Sequence, residues 1–97
     1  MNEADILLSR LAIDQMAQLT PTIGRALLEA LTTLARFPES FPRVPQTDYA
    51  GYRQVVAKGY GAVYRYFSES HHVRIYCVLH TRRPLPPSEF LQYQLFN

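Results

Sequence analysis

The sequence predicts an α+β fold, in which an N-terminal helical hairpin packs on a small, mainly antiparallel sheet and a short helix ends the chain. Between Thr20 and Arg36, apolar residues recur at intervals of three and four, the period of an amphipathic helix. From Tyr52 to His80, short apolar runs alternate with polar residues between turns, as they do in strands. The chain has 97 residues, so we expect one domain over residues 1–97 with a modest core.

A short apolar segment and two helices are predicted in the N-terminal third. Residues 4–8 are either an edge strand or the first turn of a helix, and Ser9 can cap the helix that follows. Thr20 and Pro21 form a strong helix start, because the threonine side chain caps the helix and proline at the first helical position needs no N–H partner. The second helix should end at Phe37, because a residue before proline avoids the helical region.

Three strands and a short helix are predicted after a proline-rich loop at residues 38–51. Ser88 can cap the helix. Its apolar face would hold Phe90, Leu91 and Leu95. The strands are predicted at residues 52–58, 60–67 and 73–80, with a turn at Gly59 and another at residues 68–72.

Alternation along the strands predicts a face that packs on the helices and a face that points away from them. In the last strand, the face toward the helices is predicted to hold Val73, Ile75, Cys77 and Leu79. Arg65 of the middle strand is placed on the other face, because an unpaired buried arginine is costly. The outward face is then predicted to carry, among tyrosines, a basic cluster of Arg53, Arg65, Arg74, His80 and Arg82.

Positive charge is concentrated in the second half of the chain. Residues 1–48 contain four Arg and six Asp or Glu, whereas residues 49–97 contain six Arg or Lys, two Glu and all seven Tyr. A basic, tyrosine-rich half is typical of a surface for an anionic partner, of which nucleic acid is the commonest. The alternative is a solvated sheet face with no partner.

Several other classes of protein do not fit the composition. No apolar run approaches the roughly 18 residues that cross a bilayer, and the N-terminus carries acids where a signal peptide carries bases. Cys77 is the single cysteine, which rules out an internal disulfide and indicates a cytosolic chain. One cysteine and three histidines at these spacings do not make a zinc site. We therefore expect a cytoplasmic protein with no membrane contact, metal or cofactor.

Four sequence pieces, in this order, resemble the RelE/ParE superfamily, the toxins of bacterial toxin–antitoxin pairs. The resemblance covers nearly the whole chain, in the family order of a strand, a helical hairpin, three antiparallel strands and a variable C-terminal segment. It implies a small toxin that forms a complex with a cognate antitoxin and is neutralised by it. RelE-like members cut mRNA on the ribosome, and ParE-like members poison DNA gyrase. The four pieces are LARFP at 34–38, GYRQVV at 51–56, YGAVYRYF at 60–67 and VRIYCVLHTRR at 73–83.

The resemblance also implies roles for single residues. In RelE-like members, basic residues of the outward sheet face orient the scissile phosphate and stabilise the charge that builds on it. Arg53 matches the basic residue that opens the second strand, and His80 is the residue type suited to proton transfer near neutral pH. The candidate catalytic residues are His80, Arg82, Arg65 and Arg53. The candidate target-binding residues are Lys58, Arg74, Arg83 and Tyr76.

The sequence leaves the mechanism open. Gly61 stands where the mRNA-cutting members commonly carry an arginine after tyrosine, and Arg65 substitutes for it only if the groove is shifted. The VLHTRR ending at Arg83 looks more like the ParE-like and unassigned members. Ribosome-dependent mRNA cleavage and gyrase inhibition therefore remain two candidate activities. The alternative is an inactive relative that binds its antitoxin or a nucleic acid.

Overall fold

Three α-helices and one four-stranded sheet make up residues 2–96, the part of the chain that the computed structural model describes. The α+β class and the predicted order of elements are confirmed, and the observed strands begin and end within one residue of the predicted ones. In chain order the elements are β1 (Asp5–Leu8), α1 (Arg10–Ala17), α2 (Pro21–Arg36), β2 (Arg53–Ala57), β3 (Tyr60–Phe67), β4 (His72–His80) and α3 (Ser88–Gln92).

The strands lie in the order β1-β4-β3-β2. The β2–β3 and β3–β4 pairs are antiparallel, and β1 adds to the free side of β4 in parallel. The apolar segment at residues 4–8 is therefore an edge strand, which decides between its two predicted states. No helix within residues 2–96 is long and apolar enough to cross a bilayer.

Side-chain caps begin both N-terminal helices, as predicted. Thr20 Oγ1 accepts the N–H of Ile23 at 3.4 Å on the protein surface. Ser9 Oγ is buried, accepts the N–H of Ala12 at 2.9 Å, and donates to the carbonyl of Tyr76 at 2.7 Å. Ser9 therefore both starts α1 and ties it to β4.

The main core lies between the helices and one side of the sheet, which is called the helix face below. α1 packs on β4 and α2 packs on β2. The stripe Leu27, Leu31 and Leu34 of α2 is buried, as the helical period predicts. The buried residues of this core are Ala4, Ala12, Leu27, Leu31, Leu34, Val55, Ala62, Tyr64, Val73, Ile75 and Val78.

A β-bulge in β4 changes which residues point to each side. Val63 pairs with Cys77, but the next residue of β3, Tyr64, pairs with Ile75, so Tyr76 is an extra residue. Val73 and Ile75 lie on the helix face as predicted. The prediction is wrong for Cys77 and Leu79, because the bulge moves them to the opposite side, the outer face.

Apolar residues also fill the middle of the outer face. The loop before β2, with its 3₁₀ turn at Thr47–Tyr49, and the C-terminal segment cover it. Of the three residues predicted for the apolar face of the last helix, Leu91 is buried in α3. Phe90 is 49% exposed, and Leu95, which lies beyond the end of α3, is 62% exposed, so the prediction is wrong for these two. The buried residues of this outer cluster are Val44, Tyr49, Tyr52, Val63, Tyr76, Cys77 and Leu91.

Burial in these two clusters holds several acidic groups in their neutral form. Burial raises the pKa of Tyr49 and of Tyr64 to about 12, and that of the Cys77 thiol to about 12. The hydroxyl of Tyr64 donates to the carbonyl of Pro38 at 2.7 Å. The two tyrosines therefore pack and donate hydrogen bonds, Cys77 packs, and none of the three releases its proton near neutral pH.

Replacing Ser9 by alanine should destabilise the fold more than removing the exposed cap does. Ser9→Ala removes a helix cap and leaves the buried Tyr76 carbonyl without this donor, which together cost about 2–4 kcal/mol. Thr20→Ala is the matched control and should cost about 1 kcal/mol. Urea unfolding of the two variants measures both. Equal losses would show that the bond from Ser9 to β4 contributes nothing.

The free energy of unfolding should fall as the pH rises from about 9 toward 12. In the unfolded chain, cysteine and tyrosine ionise at their ordinary pKa values of 9.0 and 10.0, whereas the folded protein keeps Cys77, Tyr49 and Tyr64 protonated up to about 12. The unfolded state thus binds fewer protons in this window, so alkali favours it.

Urea midpoints measured at several pH values between 8 and 12 test this expectation. Cys77→Val is the control, because it removes the group that ionises first and should flatten the early part of the fall. A urea midpoint that stays constant across this range would contradict the raised pKa values of Cys77, Tyr49 and Tyr64.

Candidate functional site

The predicted basic cluster does not assemble on one face. Arg53 pairs with Tyr64, and His80 pairs with Tyr60; both tyrosines lie on the helix face. The prediction that Arg53 and His80 share a face with Arg65 is therefore wrong. Two causes are visible: the bulge shifts the alternation of β4, and the register of β2 places Arg53 opposite a helix-face residue.

Arg53 holds the preceding loop against the edge of the sheet. Its Nη1 donates to the carbonyl of Phe41 at 2.7 Å. Backbone bonds on either side, from Val44 N to Tyr52 O and from Gln54 N to Pro42 O, both 3.0 Å long, fix the same loop. Arg53 therefore contacts the loop through Phe41 and lies on a different face of the sheet from Arg65 and Arg74.

Exposed cations gather where the β2–β3 turn meets the end of β4, and Lys58, Arg82 and Arg83 are called the basic end below. Lys58 and Gly59 both have positive φ, 52° and 80°, as a two-residue type I′ hairpin requires. Thr81 N donates to the carbonyl of Gly59 at 2.8 Å, which joins the turn to the segment after β4. Three positive side chains thus surround one rigid corner.

His80 lies beneath the basic end and stabilises its turn. Nδ1 accepts the backbone N–H of Arg82 at 3.1 Å, so the neutral ring carries its proton on Nε2. The ring stands edge-on to Tyr60, with centroids 5.1 Å apart. With this tautomer, neither ring nitrogen offers a free lone pair.

A cavity of about 170 Å³ opens beside the basic end, between Gln54, Gly61, His80 and Arg83. A Cβ atom at Gly61 would lie 2.1 Å from Nε2 of Gln54. The uncharged side-chain amide of Gln54 therefore occupies the space above the glycine. Sequence reasoning missed Gln54; the available signal was Gly61 itself, since glycine inside a strand often marks the close approach of another group.

A second basic group, the arginine pair of Arg65 and Arg74, lies at the opposite end of the outer face. The two residues are directly opposite each other on β3 and β4. The guanidinium carbon of Arg65 lies 5.3 Å from the ring centroid of Tyr52, and that of Arg74 lies 5.3 Å from the centroid of Phe96. Both are also within 5.4 Å of the centroid of Phe67.

Tyr76 supports the arginine pair from below and is not itself a free surface residue. It is 5% exposed and packs edge-on against Tyr52 and Phe96. Burial raises the pKa of Tyr76, although the positive charges of Arg65 and Arg74 act in the opposite direction. The C-terminal segment therefore covers Tyr76, and in this conformation the side chain of this predicted binding residue is shielded from solvent.

The outer face thus presents two separate basic groups with the apolar outer cluster between them. Arg82, Arg83 and Lys58 are exposed at one end, and Arg74 is exposed at the other. Within residues 2–96, no three His, Cys, Asp or Glu side chains are placed to hold a metal ion together. The arrangement can bind anionic groups at two places but does not align an acid and a base in one cleft.

Comparison with known proteins identifies the fold and the family. The family model described as the ParE toxin of type II toxin–antitoxin systems (parDE) matches residues 6–85. No curated protein matches the chain.

Solved structures of toxins share the same fold. A chain of the RelBE toxin–antitoxin complex from Mycobacterium tuberculosis superposes with a TM-score of 0.72 at 25% identity, over 80% of this chain and 98% of that one. The isolated E. coli RelE toxin gives 0.68 at 19% identity, over 92% and 96%. The toxin in the intact E. coli RelBE complex gives 0.65 at 17% identity, over 82% and 99%.

These matches confirm the resemblance that the sequence indicates. The family match spans most of the chain, and the fold superposes on chains solved in a toxin–antitoxin complex and as an isolated toxin. The chain belongs to the ParE toxin family of type II toxin–antitoxin systems, within the RelE/ParE superfamily.

Proposed function

We propose that this toxin acts by binding DNA gyrase and inhibiting it, and that it does not cut mRNA. The observation that carries the proposal is the position of Gln54. The mRNA-cutting relatives commonly carry an arginine where this chain has Gly61, and the amide of Gln54 fills the space that such a side chain would need. Among residues 2–96, the centre of the outer face therefore carries no positively charged side chain.

The other parts of a nuclease site are also unfavourably placed. Cleavage through the 2′-hydroxyl needs a group that removes its proton and cations that stabilise the phosphate, all within reach of one bond. The Nδ1 atom of His80 is occupied by a backbone N–H. Arg53 lies on the helix face, and Arg65 lies beyond the outer cluster, so these three candidates do not converge.

The basic end suits contact with a target that contains nucleic acid. Lys58, Arg82 and Arg83 are exposed on a corner whose backbone is fixed by hydrogen bonds. Contact with phosphates needs only positive charge at a suitable place. A gyrase molecule bound to DNA presents such phosphates beside protein surface, and the ParE family match favours the same target.

An antitoxin is the second partner that we infer. Structurally similar toxins from M. tuberculosis and E. coli were solved as toxin–antitoxin complexes. The family of this chain is defined by such pairs. We therefore infer that a cognate antitoxin binds this toxin and neutralises it in a heteromeric complex.

Induced expression of the chain in a bacterial host should stop growth, reduce negative supercoiling of a reporter plasmid and leave mRNA intact. The purified protein should inhibit the supercoiling of relaxed plasmid by gyrase. Plasmid topology, mapping of mRNA 5′ ends and the supercoiling assay measure the three effects. Ribosome-dependent cuts in mRNA would overturn the proposal, and unimpaired growth would favour the alternative of an inactive binding module.

Two variants should separate target contact from proton transfer. Arg82→Ala combined with Arg83→Ala should weaken gyrase inhibition at least about tenfold, because it removes two phosphate-binding charges. His80→Asn should keep inhibition, because the asparagine oxygen can still accept the N–H of Arg82. Arg25→Ala, an exposed arginine of α2, is the matched control for loss of charge. Loss of toxicity in His80→Asn with a folded protein would point back to catalysis.

A further inference from the structure

The arginine pair, Arg65 and Arg74, takes no part in the proposed contact with gyrase. The two residues face each other across β3 and β4, where like charges destabilise a sheet. Within residues 2–96, no carboxylate forms an ion pair with either of them. Two opposed cations thus share one end of the outer face, and an anion bound between them would relieve their repulsion.

Aromatic rings hold both guanidinium groups in place. Phe67 lies beneath the pair, 5.4 Å from Arg65 and 5.3 Å from Arg74, measured from guanidinium carbon to ring centroid. Tyr52 and Phe96 flank it on either side at 5.3 Å. A guanidinium group that stacks on rings directs its N–H donors outward from its edges. Arg74 uses part of this capacity in a hydrogen bond with the hydroxyl of Tyr76, and a guanidinium has five N–H donors in all.

The backbone beside Arg65 leaves room for its side chain. A Cβ atom at Gly51 would lie 3.6 Å from Nη2 of Arg65, and the glycine has a φ of +89°, which side-chain-bearing residues rarely adopt. The loop therefore passes close to the guanidinium without displacing it. The pair is pre-organised, which reduces the entropy lost when a ligand binds.

We propose that the arginine pair binds a carboxylate of an acidic peptide segment, supplied by the antitoxin. Guanidinium groups bind carboxylates through paired N–H donors. The antitoxin as partner comes from the proposed function, but the site does not depend on whether gyrase or mRNA is the target.

The surroundings favour a peptide over a nucleic acid. The basic end lies beyond the end of β4, and the part of β4 from Arg74 to His80 alone spans roughly 20 Å at the rise of a strand. The apolar outer cluster fills this interval. A nucleic acid strand would find no continuous track of charge. Leu95 and Tyr93, close in sequence to Phe96, are 62% and 80% exposed. They offer contact to apolar residues that flank an acidic one.

Titration of the purified toxin with defined probes tests the proposal. The probe is an end-blocked tetrapeptide of the sequence leucine-aspartate-glutamate-leucine, and its control replaces the acids by asparagine and glutamine. A short oligothymidylate represents nucleic acid. Arginine side-chain N–H signals, followed by heteronuclear NMR, report which guanidinium groups are bound.

The acidic peptide should shift the signals of Arg65 and Arg74, and the amide peptide should not. Arg65→Gln and Arg74→Gln should each weaken binding about tenfold or more, whereas Arg25→Gln should not. The urea midpoint of Arg74→Gln should be unchanged or higher, because the substitution relieves repulsion.

Three results would overturn the proposal. Tighter binding of the oligothymidylate, lost in the same two variants, would assign the pair to nucleic acid. Absence of binding, or an equal loss in Arg25→Gln, would leave no specific site. A lowered urea midpoint with unchanged peptide binding would make the pair structural. All of these readouts are independent of gyrase inhibition, so the two proposals can fail separately.

Discussion

The extra residue in β4 determines what each side of the sheet presents. Before the bulge, Val73 and Ile75 face the helices; after it, Cys77 and Leu79 face away from them. Two buried contacts lie at this point: the Ser9 hydroxyl on the carbonyl of Tyr76, and the packing of the Tyr76 ring against its aromatic neighbours. Because the strands carry apolar side chains on both sides of the sheet, each side must be shielded from water by another part of the chain. Both sides are shielded in this structure.

The helices shield the helix face, and the loop before β2 together with the C-terminal segment shields the outer face. A 97-residue chain buries a modest share of its surface, so an additional cluster on the outer face contributes to its stability. The same burial fills the middle of the face. Cations therefore remain at the two ends, where Arg74 and Arg83 stay in contact with water.

Local signals in the sequence predicted the elements well, because their causes are local. The cap at Thr20 and the stripe through Leu27, Leu31 and Leu34 each involve residues within two turns of one another. The bulge leaves no such mark, since it depends on how distant strands pair. Alternation placed Arg53 on the outer face, whereas Arg53 lies on the helix face, on the same side of β2 as the buried Val55. Arg53 is accommodated there because its guanidinium donates to the carbonyl of Phe41, a contact that alternation along one strand does not reveal.

The composition of the outer face and the proposed mechanism have one physical explanation. Burying an unpaired cation is costly. Cationic side chains that bind a phosphate must therefore stay hydrated or paired. A sheet that carries such side chains at its centre has to leave that centre exposed to solvent. With Gly61 and Gln54 at that position, no charge needs hydration there. Val63, Cys77 and Leu91 then pack under the C-terminal segment. On the proposed function, mRNA-cutting relatives carry charged side chains at the centre of the sheet, where they act on the substrate. This chain has packed apolar side chains there instead, and it binds its target through cations at the edge of the sheet.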